Sequence, residues 1–158
     1  MKKTIIFDFD GTIADTLGPI MAVFNKNSKS FGYKHLSPET IEKLRGQNSE
    51  EILRQLKVPW QNMPFVIRRV RQDLREHIDS VELVDGIKSV IEDLHSDGKK
   101  LIIVTTNSRE IVEKFLKRHE ICVFDKIYST GFLSKQRTLR KVLSDLKIGA
   151  SSTVYVGD

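Results

Sequence analysis

Two carboxylates at spacing two, Asp8 and Asp10, follow directly on the apolar run Ile5-Ile6-Phe7 and precede the turn pair Gly11-Thr12. A strand carries residues i and i+2 on one side. Both carboxylates are therefore expected at the carboxyl end of a strand, where open α/β sheets hold their ligands. Side by side they repel unless a cation or a proton lies between them. That arrangement suits a hard divalent metal ion and phosphate chemistry. The far end of the sequence repeats the theme. Val154-Tyr155-Val156 is a second apolar run, and Gly157-Asp158 closes it with a carboxylate.

The segment from Asp8 to Thr16 resembles the first motif, Asp-x-Asp-x-Thr, of the haloacid dehalogenase superfamily of phosphotransferases, in its phosphoglycolate phosphatase and β-phosphoglucomutase branch. Asp8, Asp10 and Thr12 fill its positions. The second motif of that family is an apolar strand ending in Ser or Thr, matched by Leu101-Ile102-Ile103-Val104-Thr105. A hydroxyl at a strand end can donate to a phosphoryl oxygen, and loop amides beyond it can add to the grip. The resemblance makes Thr105 the phosphate contact, with Thr106 and Asn107 lining the loop. The third motif is a lysine at the start of a helix, which Lys135 matches, with Arg137 as runner-up. A cation there would offset the charge of the aspartates and the phosphate. The fourth motif reads strand-Gly-Asp and then a second Asp. Gly157-Asp158 matches its first half, and the sequence stops before the second. The expectation drawn is Mg²⁺ binding weaker than in the family at large, which calorimetry would refute by showing tight binding.

Composition agrees with a globular chain. Its 158 residues are 39% hydrophobic and 30% charged, which is ordinary for one core with an insert. The lone Cys122 excludes an internal disulfide, suits a reducing cytoplasm and reads as an apolar filler. No segment approaches membrane-spanning length, and the apolar run after Lys2-Lys3 is broken too early by Asp8 and Asp10 for a signal peptide. Arg68, Arg69, Arg71 and Arg75 make a basic face, but without interleaved aromatics it reads as solvated rather than as a nucleic-acid surface. His35, His77, His95 and His119 show no ligand spacing and read, like Trp60, as surface or packing residues.

The elements that must position these groups follow from periodicity. Lys3–Phe9 reads as the first strand. From Leu17 the period changes to about 3.6, with Leu17, Ile20, Met21, Phe24 and Phe31 on one face. Ser37-Pro38 reads as an N-cap followed by proline at the first helical position. Asn48-Ser49-Glu50-Glu51 reads as a capping box ahead of Ile52, Leu53 and Leu56. Val66, Ile67, Val70, Leu74 and Ile78 stripe a further helix. No strand pattern interrupts residues 15–81. Helices then alternate with strands at Leu101–Val104, Lys126–Ser129 and Thr153–Val156, and Ile87, Val90, Ile91 and Leu94 form the stripe of the first of these helices. That alternation implies an α/β fold with a parallel sheet and right-handed crossovers. The resemblance implies the Rossmann-like strand order 3-2-1-4, with residues 1–14 and 82–158 as core and 15–81 as an inserted all-helical C1-type cap. The fourth strand would then be an edge, open to self-association. A clean monomer in sedimentation at high concentration would count against that.

The resemblance also implies a mechanism. Asp8 attacks phosphorus and forms an aspartyl phosphate. Asp10 protonates the leaving oxygen and later takes a proton from water. Thr105 and Lys135 stabilise the transferring oxygens. Mg²⁺ is expected on Asp8, Asp10 and Asp158. Thr12, Thr106, Asn107 and Arg45 are expected on the substrate side. For Arg45 a plain helix-end arginine ahead of a Gly46 stop is the equal alternative. The partner is a small phosphorylated metabolite, not nucleic acid or membrane. A phosphatase, a phosphomutase of the same fold and a truncated chain with little catalysis all remain open at this point.

Overall fold

The structure, a computed structural model, describes residues 3–31, 34–44, 47, 52, 54–130 and 135–157. The chain folds as two compact units, one of Met1–Ala14 with Glu82–Gly157 and one of Asp15–Val81.

The first unit is built on four parallel strands: β1 (Thr4–Phe7), β2 (Lys100–Thr105), β3 (Lys126–Ser129) and β4 (Thr153–Val156). Their order, β3-β2-β1-β4, is the one expected. β1 and β2 are Ile/Leu/Val-rich and buried along their apolar length, as a parallel sheet covered on both faces demands. Phe7 pairs in register with Ile103 on one side and Val156 on the other. The helices of this unit, numbered after three in the second unit, are α4 (Ile87–Ser96), α5 (Arg109–Arg118) and α6 (Lys135–Asp145). Ile6, Ile102 and Val104 point to one face and are closed over by Val142, Leu139 and Leu146 of α6 and its end. Burying side chains of this size contributes roughly 1.5–3 kcal/mol each. Residues 13 and 14 close back on the sheet unit where the chain returns: Ala14 bridges Leu83, and Val84 N–H donates to the Ile13 carbonyl at 3.0 Å.

The second unit contains α1 (Leu17–Phe31), α2 (Pro38–Leu44) and α3 (Met63–His77), with residues 52, 54 and 55 also helical. No strand is found among its described residues. Met21, Phe24, Leu44, Leu56 and Val66 form its core. Ser37 does cap α2: its Oγ accepts from Thr40 N–H at 3.3 Å, and Pro38 begins the helix. The capping box at 48–51 lies outside the described residues. The arginine face of α3 is only partly solvated. Arg68 and Arg75 are exposed, whereas Arg69 and Arg71 are half-buried, and Arg69 lies 3.5 Å from the buried Asp73 carboxylate. No helix among the described residues is long and apolar enough to cross a membrane.

Three expectations are corrected. β1 stops at Phe7 rather than Phe9, because the Phe9 amide turns to the Asp8 carboxylate instead of a neighbouring strand. Val90 is 49% exposed, since it stands 60° off Ile87 at the margin of the α4 stripe, where Ile91 alone is fully buried. Cys122 is exposed rather than an apolar filler, on the irregular segment between α5 and β3.

Candidate active site

Register brings the strand ends together. Because Phe7 faces Ile103 and Val156, the next residue, Asp8, stands level with Val104 and Gly157, and Thr105 lies one residue further along. Asp8 keeps a last sheet bond, its N–H donating to the Val156 carbonyl at 2.8 Å. It is only 5% exposed. Its Oδ1 accepts from the Phe9 N–H at 2.8 Å, which fixes the carboxylate against its own backbone.

Strand alternation does not place Asp10; the turn does. The Phe9 carbonyl accepts from Ile13 and Ala14 N–H, both at 3.0 Å, while Gly11 N–H donates to the Ala14 carbonyl at 2.9 Å. This tight reversal needs a left-handed residue, and Gly11 supplies it at φ 70°. Phe9, fully buried, anchors the reversal edge-on against Phe115 of α5 at 5.1 Å. Asp10 then leaves the turn beside Ala14, with which it forms a bridge, and Thr12 sits half-buried in the turn.

The end of β2 comes to meet it. Thr105 is fully buried, and its Oγ1 accepts from Asn107 N–H at 3.0 Å. The Thr105 carbonyl accepts from Thr130 N–H at 2.8 Å, extending the sheet past β3. Asn107, also buried, reaches across ninety-seven residues of sequence to Asp10, its Nδ2 lying 3.0 Å from Oδ1 and 2.8 Å from Oδ2. Ser129 Oγ donates to the Asn107 carbonyl. Thr106 is half-buried beside them. Lys135 is the first residue of α6, and the first turn of that helix is tied to the end of β3 by Thr138 Oγ1 and Thr130 Oγ1 at 2.7 Å. Only the backbone of Lys135 is described. Arg45 and Asp158 lie outside the described residues.

Gly157 closes the site from the β4 side. A β-carbon there would stand 2.6 Å from Asp8 Cβ and 2.8 Å from Tyr155 Oη, and its backbone is at φ 153°. Only glycine permits that approach. The donor set bearing on a metal ion is all hard oxygen: the Asp8 carboxylate and the Asp10 backbone carbonyl. It fits Mg²⁺ in kind. Among the described residues no group of three or more His, Cys, Asp and Glu gathers.

Sequence reasoning named Asp8, Asp10, Thr105, Thr106 and Asn107, and the fold gathers them at the ends of β1 and β2. It missed the amide–carboxylate link from Asn107 to Asp10 and the steric role of Gly157. No periodic signal in the sequence marks either one.

Residues 5–158 match the family model described as haloacid dehalogenase-like hydrolase. The chain is 31% identical over 159 residues to phosphoglycolate phosphatase of Synechococcus elongatus, an alignment covering 99% of this chain and 74% of that protein. It is 26% identical over 162 residues to pyrophosphatase PpaX of Bacillus mycoides, covering 99% and 74%. A haloacid dehalogenase-like family hydrolase from Streptococcus pneumoniae has a similar solved structure, with TM-score 0.77 at 23% identity, covering 99% of this chain and 76% of that one.

Proposed function

The chain belongs to the haloacid dehalogenase-like hydrolases and is a phosphatase, and on that footing we propose that it is a Mg²⁺-dependent enzyme hydrolysing a small phosphorylated metabolite through an aspartyl phosphate. The observation that carries this reading is the presence of two differently held carboxylates, Asp8 at the end of β1 and Asp10 on the turn that follows it. Asp8 is buried and fixed to its own backbone, while Asp10 sits on the following turn within reach of a polar amide.

In this reading an Asp8 oxygen attacks phosphorus in line, and the bond from phosphorus to the leaving oxygen breaks. Asp10 gives its proton to that oxygen. Water then attacks the phosphorus of the aspartyl phosphate, Asp10 takes the proton back, and the bond to Asp8 breaks to release phosphate. Thr105 and Lys135 are assigned to the transferring oxygens. Asp8, the Asp10 carbonyl and Asp158 would hold Mg²⁺, which when bound offsets the repulsion between carboxylate and phosphoryl charge. Residues 15–81 are read as the cap that selects the substrate. Arg45 is its candidate for gripping a substrate carboxylate or a second phosphate. Thr12 and Thr106 are assigned to the substrate side of the core. A reducing, cytoplasmic setting suits a chain with one cysteine.

The test is phosphate release from a panel of small phosphoesters, with Asp8→Asn as blank and with chelator as a second arm. Release above both blanks, restored by Mg²⁺, is the expected result. Full turnover by Asp8→Asn would overturn the nucleophile, and full turnover in chelator would overturn the metal. Isomerisation of a sugar phosphate without release would identify a mutase instead.

A further inference from the structure

We propose that Asn107 is a positioning residue for the acid–base group Asp10, and not a contact to the substrate phosphoryl group. The inference deepens the phosphatase reading and rests on it. Three observations carry it. First, Asn107 Nδ2 lies 3.0 and 2.8 Å from the two oxygens of Asp10. Facing a carboxylate, an amide must turn its NH₂ and not its oxygen, so the donor is unambiguous. Contact to both oxygens fixes the plane of the carboxyl group as well as its distance. Second, Asn107 is itself immobilised. Its side chain is buried, its N–H donates to Thr105 Oγ1 at 3.0 Å, and its carbonyl accepts from Ser129 Oγ. Third, these contacts join the end of β3, the loop after β2 and the turn after β1 into one rigid path. Asp10 stands on a turn, which by itself holds a side chain less firmly than a strand would.

The arrangement suits a group that must both give and receive a proton. When Asp10 carries a proton on one oxygen, the other still accepts from the amide, so the carboxyl group keeps its orientation in either state. A substrate contact would use the same Nδ2 hydrogens that Asp10 already engages.

The consequence is specific to the leaving group. An alkyl phosphate needs a proton on its departing oxygen, whereas p-nitrophenyl phosphate releases a stabilised phenolate and needs little help. Both substrates present the same phosphoryl group. Loss of an acid-positioning residue therefore slows the alkyl ester selectively, while loss of a phosphoryl contact slows both alike.

The experiment measures kcat/KM for an alkyl phosphate and for p-nitrophenyl phosphate with the whole wild-type chain and with Asn107→Ala and Asn107→Asp. Partial unfolding lowers both values equally and leaves their ratio unchanged. General acid catalysis is worth about 10²–10⁴-fold, so a misplaced acid should lower the alkyl-to-aryl ratio by about tenfold or more in both variants. A ratio within about threefold of wild type in both variants overturns the inference alone, since the role is then structural or a phosphoryl contact. A wild-type chain that hydrolyses neither ester removes the phosphatase reading, and this inference with it.

Discussion

Gly157→Ala tests whether close packing against Asp8 sets the position of the proposed nucleophile. A β-carbon at 157 would stand 2.6 Å from Asp8 Cβ, and the gap must widen by about 0.8 Å to reach the 3.4 Å of ordinary contact. The approach to Tyr155, 2.8 Å at Oη and 3.1 Å at Cζ, can be relieved only by swinging the whole ring about χ1, since both atoms lie on the axis of ring rotation. The approach to Asp8 cannot, because that residue is buried and its N–H is held by the Val156 carbonyl at 2.8 Å. The strain must therefore move either the Asp8 backbone or the segment after β4. A backbone φ of 153° adds about 1–3 kcal/mol for any residue but glycine. Misplacing a reacting group by about 1 Å costs on the order of 10²-fold in rate, so the expected fall in kcat/KM is about a hundredfold. The assay is phosphate release from the best substrate of the panel, corrected for folded fraction by a thermal melt of each preparation. Activity within about threefold of wild type would refute the reasoning, for it would mean that the Asp8 position absorbs the added carbon without consequence.

Two further perturbations probe the packing of the sheet unit and the helix capping of the second unit, each by itself. Ile103→Ala removes a fully buried side chain from β2, between Phe7 and Ile127, and is expected to cost about 2–5 kcal/mol. At about 2–4 °C per kcal/mol for a chain of this size, a melting shift under ~2 °C would contradict the burial. Ser37→Ala removes the α2 cap, at about 1 kcal/mol. The hydrogen bond from Ser37 also holds the exposed Glu39 carboxyl below its ordinary value, with its backbone helping. A lowered folded value means that the contribution is present above the unfolded value and lost as pH falls through the folded one. In Ser37→Ala the Glu39 titration midpoint, read by NMR, should move up. An unchanged midpoint would show that the hydroxyl does not set it.

Much of the molecule was legible in the chain, and for a local reason. Ile5-Ile6-Phe7 and Leu101–Val104 are apolar without alternation because both faces of their strands are covered, and that signal survives in the one-dimensional order. The step from strand to helix periodicity at Leu17 and the Ser37-Pro38 cap are likewise written in neighbouring residues. So is the left-handed requirement at Gly11, whose place after two carboxylates marks the turn. The margins were not legible. Val90 carries an apolar side chain on the rim of its helix stripe, and only the neighbouring surface decides that it faces water. Cys122 is small and apolar in type, yet it falls on an exposed connection.

The candidate site divides in the same way. By itself the sequence determined which residue types stand at each strand end: Asp8, Asp10, Thr105 and Asn107 all belong to short motifs whose chemistry can be read without a fold. Only the tertiary structure decided how they are held. The parallel register carries Asn107 to within hydrogen-bond reach of Asp10, and Gly157 to the flank of Asp8. Contacts made across so much chain leave no local trace, because they depend on two crossovers returning strands to the same edge-to-edge level, and that geometry exists only once the sheet has formed.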